Sequence, residues 1–206
     1  MKSINFKNYL YVACAMLLAL MSGCKTQKKT THTVKVFDTT YSLPTGWHRS
    51  GSSPYRYAMG IDKGAGHAGG NAATVKCITT PNGFGTLMQT CAADRYLGKK
   101  IKLSGYLKSK DVTRWAAFWL RVDDSVAKKS VAFDNMSDRP IRGNTDWRKY
   151  EIVLSVPARA DKIAYGALLD GDGQIWFDQM NMEIVGDDAI TTRGSQNEPV
   201  NMSFDK

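Results

Sequence analysis

Residues 115–123 read Trp-Ala-Ala-Phe-Trp-Leu-Arg-Val-Asp, and the spacing of their apolar side chains decides the fold class. In an extended chain successive side chains point to opposite faces. Phe118, Leu120 and Val122 then form one continuous apolar stripe, while Trp115, Trp119, Arg121 and Asp123 share the other face. A helical period of 3.6 would scatter the stripe around the helix. The segment is therefore a half-buried strand. Its outward face is unusual, because a surface expected to be solvated carries two tryptophans.

Working outward, no long segment between Val34 and Val185 has a helical period. Short runs of strand character recur between Gly, Asp, Asn and Pro: Val34–Phe37, Tyr55–Ile61, Ala73–Ile78, Thr86–Ala92, Lys100–Lys108, Trp115–Asp123, Ser130–Met136, Lys149–Val156, Lys162–Leu169 and Gln174–Ile184. This spacing predicts an all-β chain, one antiparallel β-sandwich of jelly-roll type over residues 33–185. Residues 64–72 read as a Gly-rich loop. Residues 186–206 read as a polar tail with room for one edge strand at Val200–Phe204. Gly171-Asp172 sits between two apolar runs and predicts a hairpin turn. That hairpin sends Leu168, Ile175 and Phe177 to the core, and Tyr165, Trp176 and Asp178 outward.

The N-terminus is of another kind. Lys2 and Lys7 precede an almost wholly apolar run from Tyr9 to Met21, short for a membrane span and suited to a cleaved signal peptide over residues 1–23. Leu20-Met21-Ser22-Gly23-Cys24 resembles the lipobox of bacterial lipoproteins, which implies lipidation of Cys24 and a basic tether over residues 24–32. The expected location is the bacterial cell envelope, membrane-anchored and facing the periplasm or the exterior. The chain has 28 Lys+Arg and 19 Asp+Glu, a net +9. Lys2, Lys7, Lys25, Lys28 and Lys29 lie before the domain, and removing these five leaves 23 against 19, or +4. So small an excess over roughly 170 residues argues against nucleic acid as a partner. Cys77 and Cys91 remain as an even pair, either a disulfide or two small buried thiols.

Catalytic chemistry is sparse. His32 falls in the tether, His67 in the Gly-rich loop, and His48 stands alone; no His-Glu-x-x-His, Gly-x-Ser-x-Gly or phosphate-loop motif is present. No metal site is expected and no cofactor, Asp170 and Asp172 being read as a turn in preference to a structural calcium site. Asp123, Asp134 and Asp178 have no spacing that favours a glycosidase pair. An enzyme acting on glycosides is the lesser reading. In the stretch 133–147, FDNMSDRPIRGNTDW, alternation sends Phe133 to the core and Asp134 outward to pair with Arg121, with Asn135, Asp138, Arg139 and Arg142 lining a loop.

GFGTLMQ (83–89), LGKKIKLSGYLKSKDV (97–112), WLRVD (119–123), FDNMSDRPIRGNTDW (133–147), Tyr150–Pro157 and GQIWFD (173–178), with SLPTGWHRSG (42–51), resemble a recurrent bacterial accessory domain. It is a galactose-binding-like or carbohydrate-binding-module-like jelly roll found beside hydrolases, peptidases and regulators. The resemblance implies a non-catalytic binding module with no settled ligand. Sugars stack on exposed aromatic rings and hydrogen-bond to polar side chains. The expected platform is Trp115, Trp119, Tyr165 and Trp176, with Gln89, Arg121, Asp134, Asn135 and Asp178 as polar partners. The competing expectation is that the aromatic face docks on another envelope protein, or is covered by the chain itself.

Overall fold

The computed structural model describes residues 36–192. Nine strands run through them: β1 His48–Ser50, β2 Tyr57–Asp62, β3 Ala72–Cys77, β4 Phe84–Ala92, β5 Lys100–Asp124, β6 Lys129–Asp134, β7 Ile141–Ser155, β8 Lys162–Asp170 and β9 Gln174–Val185. All of their pairings are antiparallel. Among the described residues the only helices are two single 3-10 turns, Pro54–Arg56 and Asp94–Tyr96. The expected antiparallel sandwich is the fold observed. The signal segment, Cys24, the tether and Val200–Phe204 lie outside the described residues.

One strand builds both layers. The first half of β5 pairs with β9 and β7, in a back sheet completed by β3 and β2; its second half pairs with β8 and β6, in a front sheet completed by β4 and β1. The sequence reading split this strand in two, because Lys110-Asp111-Val112-Thr113-Arg114 looks like a connection. The structure shows a corner instead. Asp111 takes a left-handed backbone (φ 54°), its N–H donates to Asn144 Oδ1 at 2.7 Å, and pairing with β7 slips at Ser109 and Val112. Such irregularities are how a strand bends from one sheet into another. Leu103 and Leu107 face inward before the corner and Phe118, Leu120 and Val122 after it, so the side-chain phase shifts by one there.

Between the layers these residues join Tyr57, Met59, Leu87, Ile152, Leu154, Ile163, Leu169, Ile175 and Phe177 in a single core. Phe118 meets Phe177 edge-on at 6.1 Å, one ring from each layer. The apolar stripe that opened the sequence reading is fully buried, as alternation requires.

Several expectations are corrected. The Gly171-Asp172 turn does not close a hairpin: β8 lies in the front sheet and β9 in the back, and Gly171 (φ 90°) and Gly173 (φ 110°) carry the chain between layers. Leu169 therefore faces the core, Leu168 faces outward, and Tyr165 lies on the core side. Phe133 and Asp134 exchange faces as well. β6 carries one extra residue opposite Val122/Asp123, so Phe133 pairs with Arg121 and is 44% exposed, while Asp134 pairs with Leu120 and is fully buried. A single bulge residue flips every side chain beyond it.

Cys77 and Cys91 are both free. They lie on β3 and β4, in different sheets. The Phe84 end of β4 is the one beside the inter-sheet turn near Cys77, and Cys91 is seven residues further along, about 23 Å at strand rise. A disulfide needs Cα atoms within about 7 Å. Of the expected strand Val34–Phe37 only Val36 and Phe37 are described, and both are irregular and exposed. Residues 141–146, expected as loop, belong to β7.

Candidate functional site: an aromatic groove on the front sheet

Trp115, Trp119 and Arg121 point outward from β5, beside Leu168 and Asp170 of β8 and Thr86 and Met88 of β4. They border an open groove of about 580 Å³ together with Phe84, Phe133, Asn135 and His48. Its volume lies within the range of small-molecule sites. The floor is a second apolar cluster separate from the core: Trp119, Met88, Ala164 and Leu168, with Phe84 and Trp115 packed against it. Trp119 is only 6% exposed, and its Nε1 donates to Thr86 Oγ1 at 2.8 Å. It is a floor residue whose polar edge is already satisfied. Trp115 is half-buried on the wall, its Nε1 donating to Asp170 Oδ2 at 3.2 Å, and Arg114 holds the other oxygen of Asp170 at 3.2 Å. Phe133 supplies the most exposed ring.

Polar groups stand at one end. Arg121 does not reach Asp134; its Nε lies 2.9 Å from Asp123, which clamps the guanidinium against the sheet. Asn135 Oδ1 caps its own turn by accepting the Ser137 N–H at 3.2 Å. Asp134 is committed elsewhere, bound by Arg139 Nη2 at 2.7 Å and by the Met136 N–H at 2.7 Å. Burial alone would push this carboxyl up. The hydrogen bonds from Arg139, Met136 and Thr192, with the guanidinium charge, outweigh it and hold Asp134 below the usual carboxylate range.

The expected platform is thus divided among three places. Trp115, Trp119, Arg121 and Asn135 meet in the front groove. Tyr165 and Gln89 hydrogen-bond to each other on the core side, where Tyr165 meets Trp47 edge-on at 5.8 Å. Trp176 and Asp178 lie on the outer face of the back sheet, which the chain covers for itself. There Trp176 Nε1 donates to Asp62 at 2.7 Å, the Lys108 ammonium sits 4.7 Å over the Trp176 ring, and His67 from the Gly-rich loop stacks on Tyr106 at 3.8 Å. Asp178 accepts the His67 N–H at 3.0 Å. Asp123, Asp134 and Asp178 do not face one another across any cleft.

Sequence reasoning missed Phe84, Met88, Leu168 and Phe133. The alternation Phe84-Thr86-Met88 was available as a signal, but without the register of β4 on β8 nothing gave that face a direction. Leu168 and Phe133 were lost to the unrecognised sheet crossing and bulge.

No family model matches the chain. It is 42% identical over 168 residues to a Bacillus subtilis (strain 168) protein named as an uncharacterized HTH-type transcriptional regulator, YbfP. The match takes in 78% of this chain and 57% of that protein, so the chain spans little more than half of its relative's length. Among solved structures it is similar to the CBM22-1 xylan-binding domain of Paenibacillus barcinonensis Xyn10C: TM-score 0.51, 12% identity, 70% of this chain and 88% of that one. It is also similar to the enzymatically active domain of bacteriophage CBA120 tailspike protein 4: TM-score 0.52, 17% identity, 68% of this chain and 20% of that one. At these identities the likeness is one of fold. The carbohydrate-binding-module-like jelly roll that the sequence motifs resemble is the architecture of this domain.

Proposed function

We propose that this domain binds a saccharide without reacting with it, in the front-sheet groove. The observation that carries the reading is the groove's make-up: the rings of Trp115, Phe84 and Phe133 border an apolar floor, and Arg121, Asn135, Asp170 and His48 line the same groove. A sugar ring has an apolar C–H face and a rim of hydroxyls, and this surface offers a partner to each. The xylan-binding domain of similar fold supports the reading. The relative named as a transcriptional regulator carries a similar segment within a longer protein. Of the acids weighed as a glycosidase pair, Asp134 is buried and Asp178 lies on the back sheet away from Asp123, which supports binding over hydrolysis.

The anchoring part of the proposal rests on Leu20–Cys24. Cys24 is acylated after signal cleavage, and residues 25–32 form a tether that keeps the domain at an envelope membrane. Metabolic labelling with palmitate checks this, and normal maturation of a Cys24→Ala chain would sink it.

A glycan array probed with the fragment from Thr31 onward tests the binding reading. Trp115→Ala is expected to weaken the best glycan at least tenfold while the fold persists. A domain that ignores every glycan yet retains one envelope protein through Phe133 would favour the interaction reading, which the exposure of that ring also supports.

A further inference from the structure

The outer face of the front sheet changes chemistry along its strands. The aromatic surface ends at Phe133, opposite Arg121, and beyond Arg121 a second cavity of about 330 Å³ opens. Its cations are Arg121, Lys128, Lys129 and Lys162; its acids are Asp123 and Asp124. Arg121 borders both cavities, so groove and basic cavity adjoin on this face.

Both acids in the lining are already committed. Asp123 is held by Arg121 at 2.9 Å, and Asp124 by Arg159 at 3.3 Å and by the Ala127 N–H at 2.9 Å. None of the three lysines has an ion-pair partner among the described residues. Asp161 bears on Lys162 electrostatically without pairing, and its Oδ1 accepts the Ser125 N–H at 3.0 Å. Three unpaired ammonium groups around one small cavity repel one another, and an anion placed among them relieves that repulsion. From Trp119 to Asp123 is four residues, about 13 Å at strand rise. One extended ligand can therefore lie on the aromatic groove and reach the cations.

We propose that the ligand of this surface is an acidic saccharide chain, whose ring faces lie on the groove and whose carboxylate or phosphate groups enter the basic cavity. The inference rests on the saccharide reading of the groove and narrows it to a charge class.

Calorimetric titration of the full chain, solubilised in detergent micelles, separates the two claims. The probes are tetragalacturonate, its methyl ester (same backbone, no charge), xylotetraose and a glycerol phosphate tetramer. The expected result is binding of an acidic probe at least tenfold tighter than of the uncharged ones, weakening as salt is raised. The two acidic probes tell carboxylate from phosphate as the source of charge. Lys129→Glu/Lys162→Glu, both on the surface and outside the groove, is expected to weaken the acidic probe about tenfold or more and leave neutral probes unchanged. Equal affinity for tetragalacturonate and its ester, insensitive to the double reversal, overturns the acidic class while the groove reading stands. Acidic binding lost on lysine reversal but untouched by Trp115→Ala overturns the shared surface and the groove reading with it. Failure of every probe overturns both.

Discussion

Replacing Trp119 by Ala separates the floor of the groove from its wall. Trp119 is 6% exposed and packs on Met88, Ala164 and Leu168, so its removal leaves a cavity in a cluster on the sheet's outer side. Burial of this extent places the loss at about 3–5 kcal/mol. Its hydrogen-bond partner adds little, since Thr86 Oγ1 still donates to the Ala167 carbonyl at 2.8 Å and is not orphaned. In a domain of this size each kcal/mol moves Tm by about 2–4 °C, so a fall of roughly 6–20 °C is expected. Trp115 is only half-buried on the wall, and Trp115→Ala should cost about 1–2 kcal/mol. Urea unfolding followed by tryptophan fluorescence and circular dichroism, at unchanged m, gives both values. Should Trp119→Ala cost under about 1 kcal/mol, or less than Trp115→Ala, the division into floor and wall is wrong.

Other expectations follow from single contacts. Arg139→Ala leaves Asp134 charged, buried and short of its main partner, and should destabilise by about 3 kcal/mol in chemical unfolding, with Asp134→Asn milder. Because the folded Asp134 titrates below its unfolded value, its contribution is complete above about pH 4 and fades as pH falls through the folded pKa; an acid unfolding curve that Asp134→Asn leaves unshifted would refute this. Gly166→Ala would place a Cβ 2.3 Å from the Leu87 carbonyl oxygen, between paired strands that cannot part locally, so Tm should fall clearly although one methyl is added. Cys77 and Cys91 should both react with a thiol reagent in the air-oxidised domain, slowly near neutral pH because burial pushes both thiols up; a mass two protons lower would contradict the free pair.

The sequence was legible where a segment obeys one period from end to end. Phe118, Leu120 and Val122 lie on a stretch of β5 in unbroken register with β8, so alternation alone assigned their face. It was illegible where register depends on a residue with no compositional mark. Val131, the extra residue of β6, looks like any strand residue, yet it decides that Phe133 is outside and Asp134 inside. Asp111 in its left-handed backbone does the same for β5. The platform failed for a different reason: Trp115 and Trp176 both point outward, as expected, but from opposite layers. Periodicity reports a side of a strand and is silent on the layer to which the strand belongs.

The continuity of β5 bears on how the domain comes apart and comes together. Four strands, β6, β7, β8 and β9, hydrogen-bond to it, two in each layer. Neither layer is an independent foldon, since losing β5 from one removes the spine of the other. Amide exchange in the two halves of β5 should therefore slow together, at the rate of global opening, while β1 and the ends of β7 exchange sooner. Assembly is bound by the same constraint. Lys100 must find Val185, and Asp123 must find Lys162, before either layer holds. Such distant pairings predict a slow folder whose unpaired strand edges stay open until the last third of the chain has arrived.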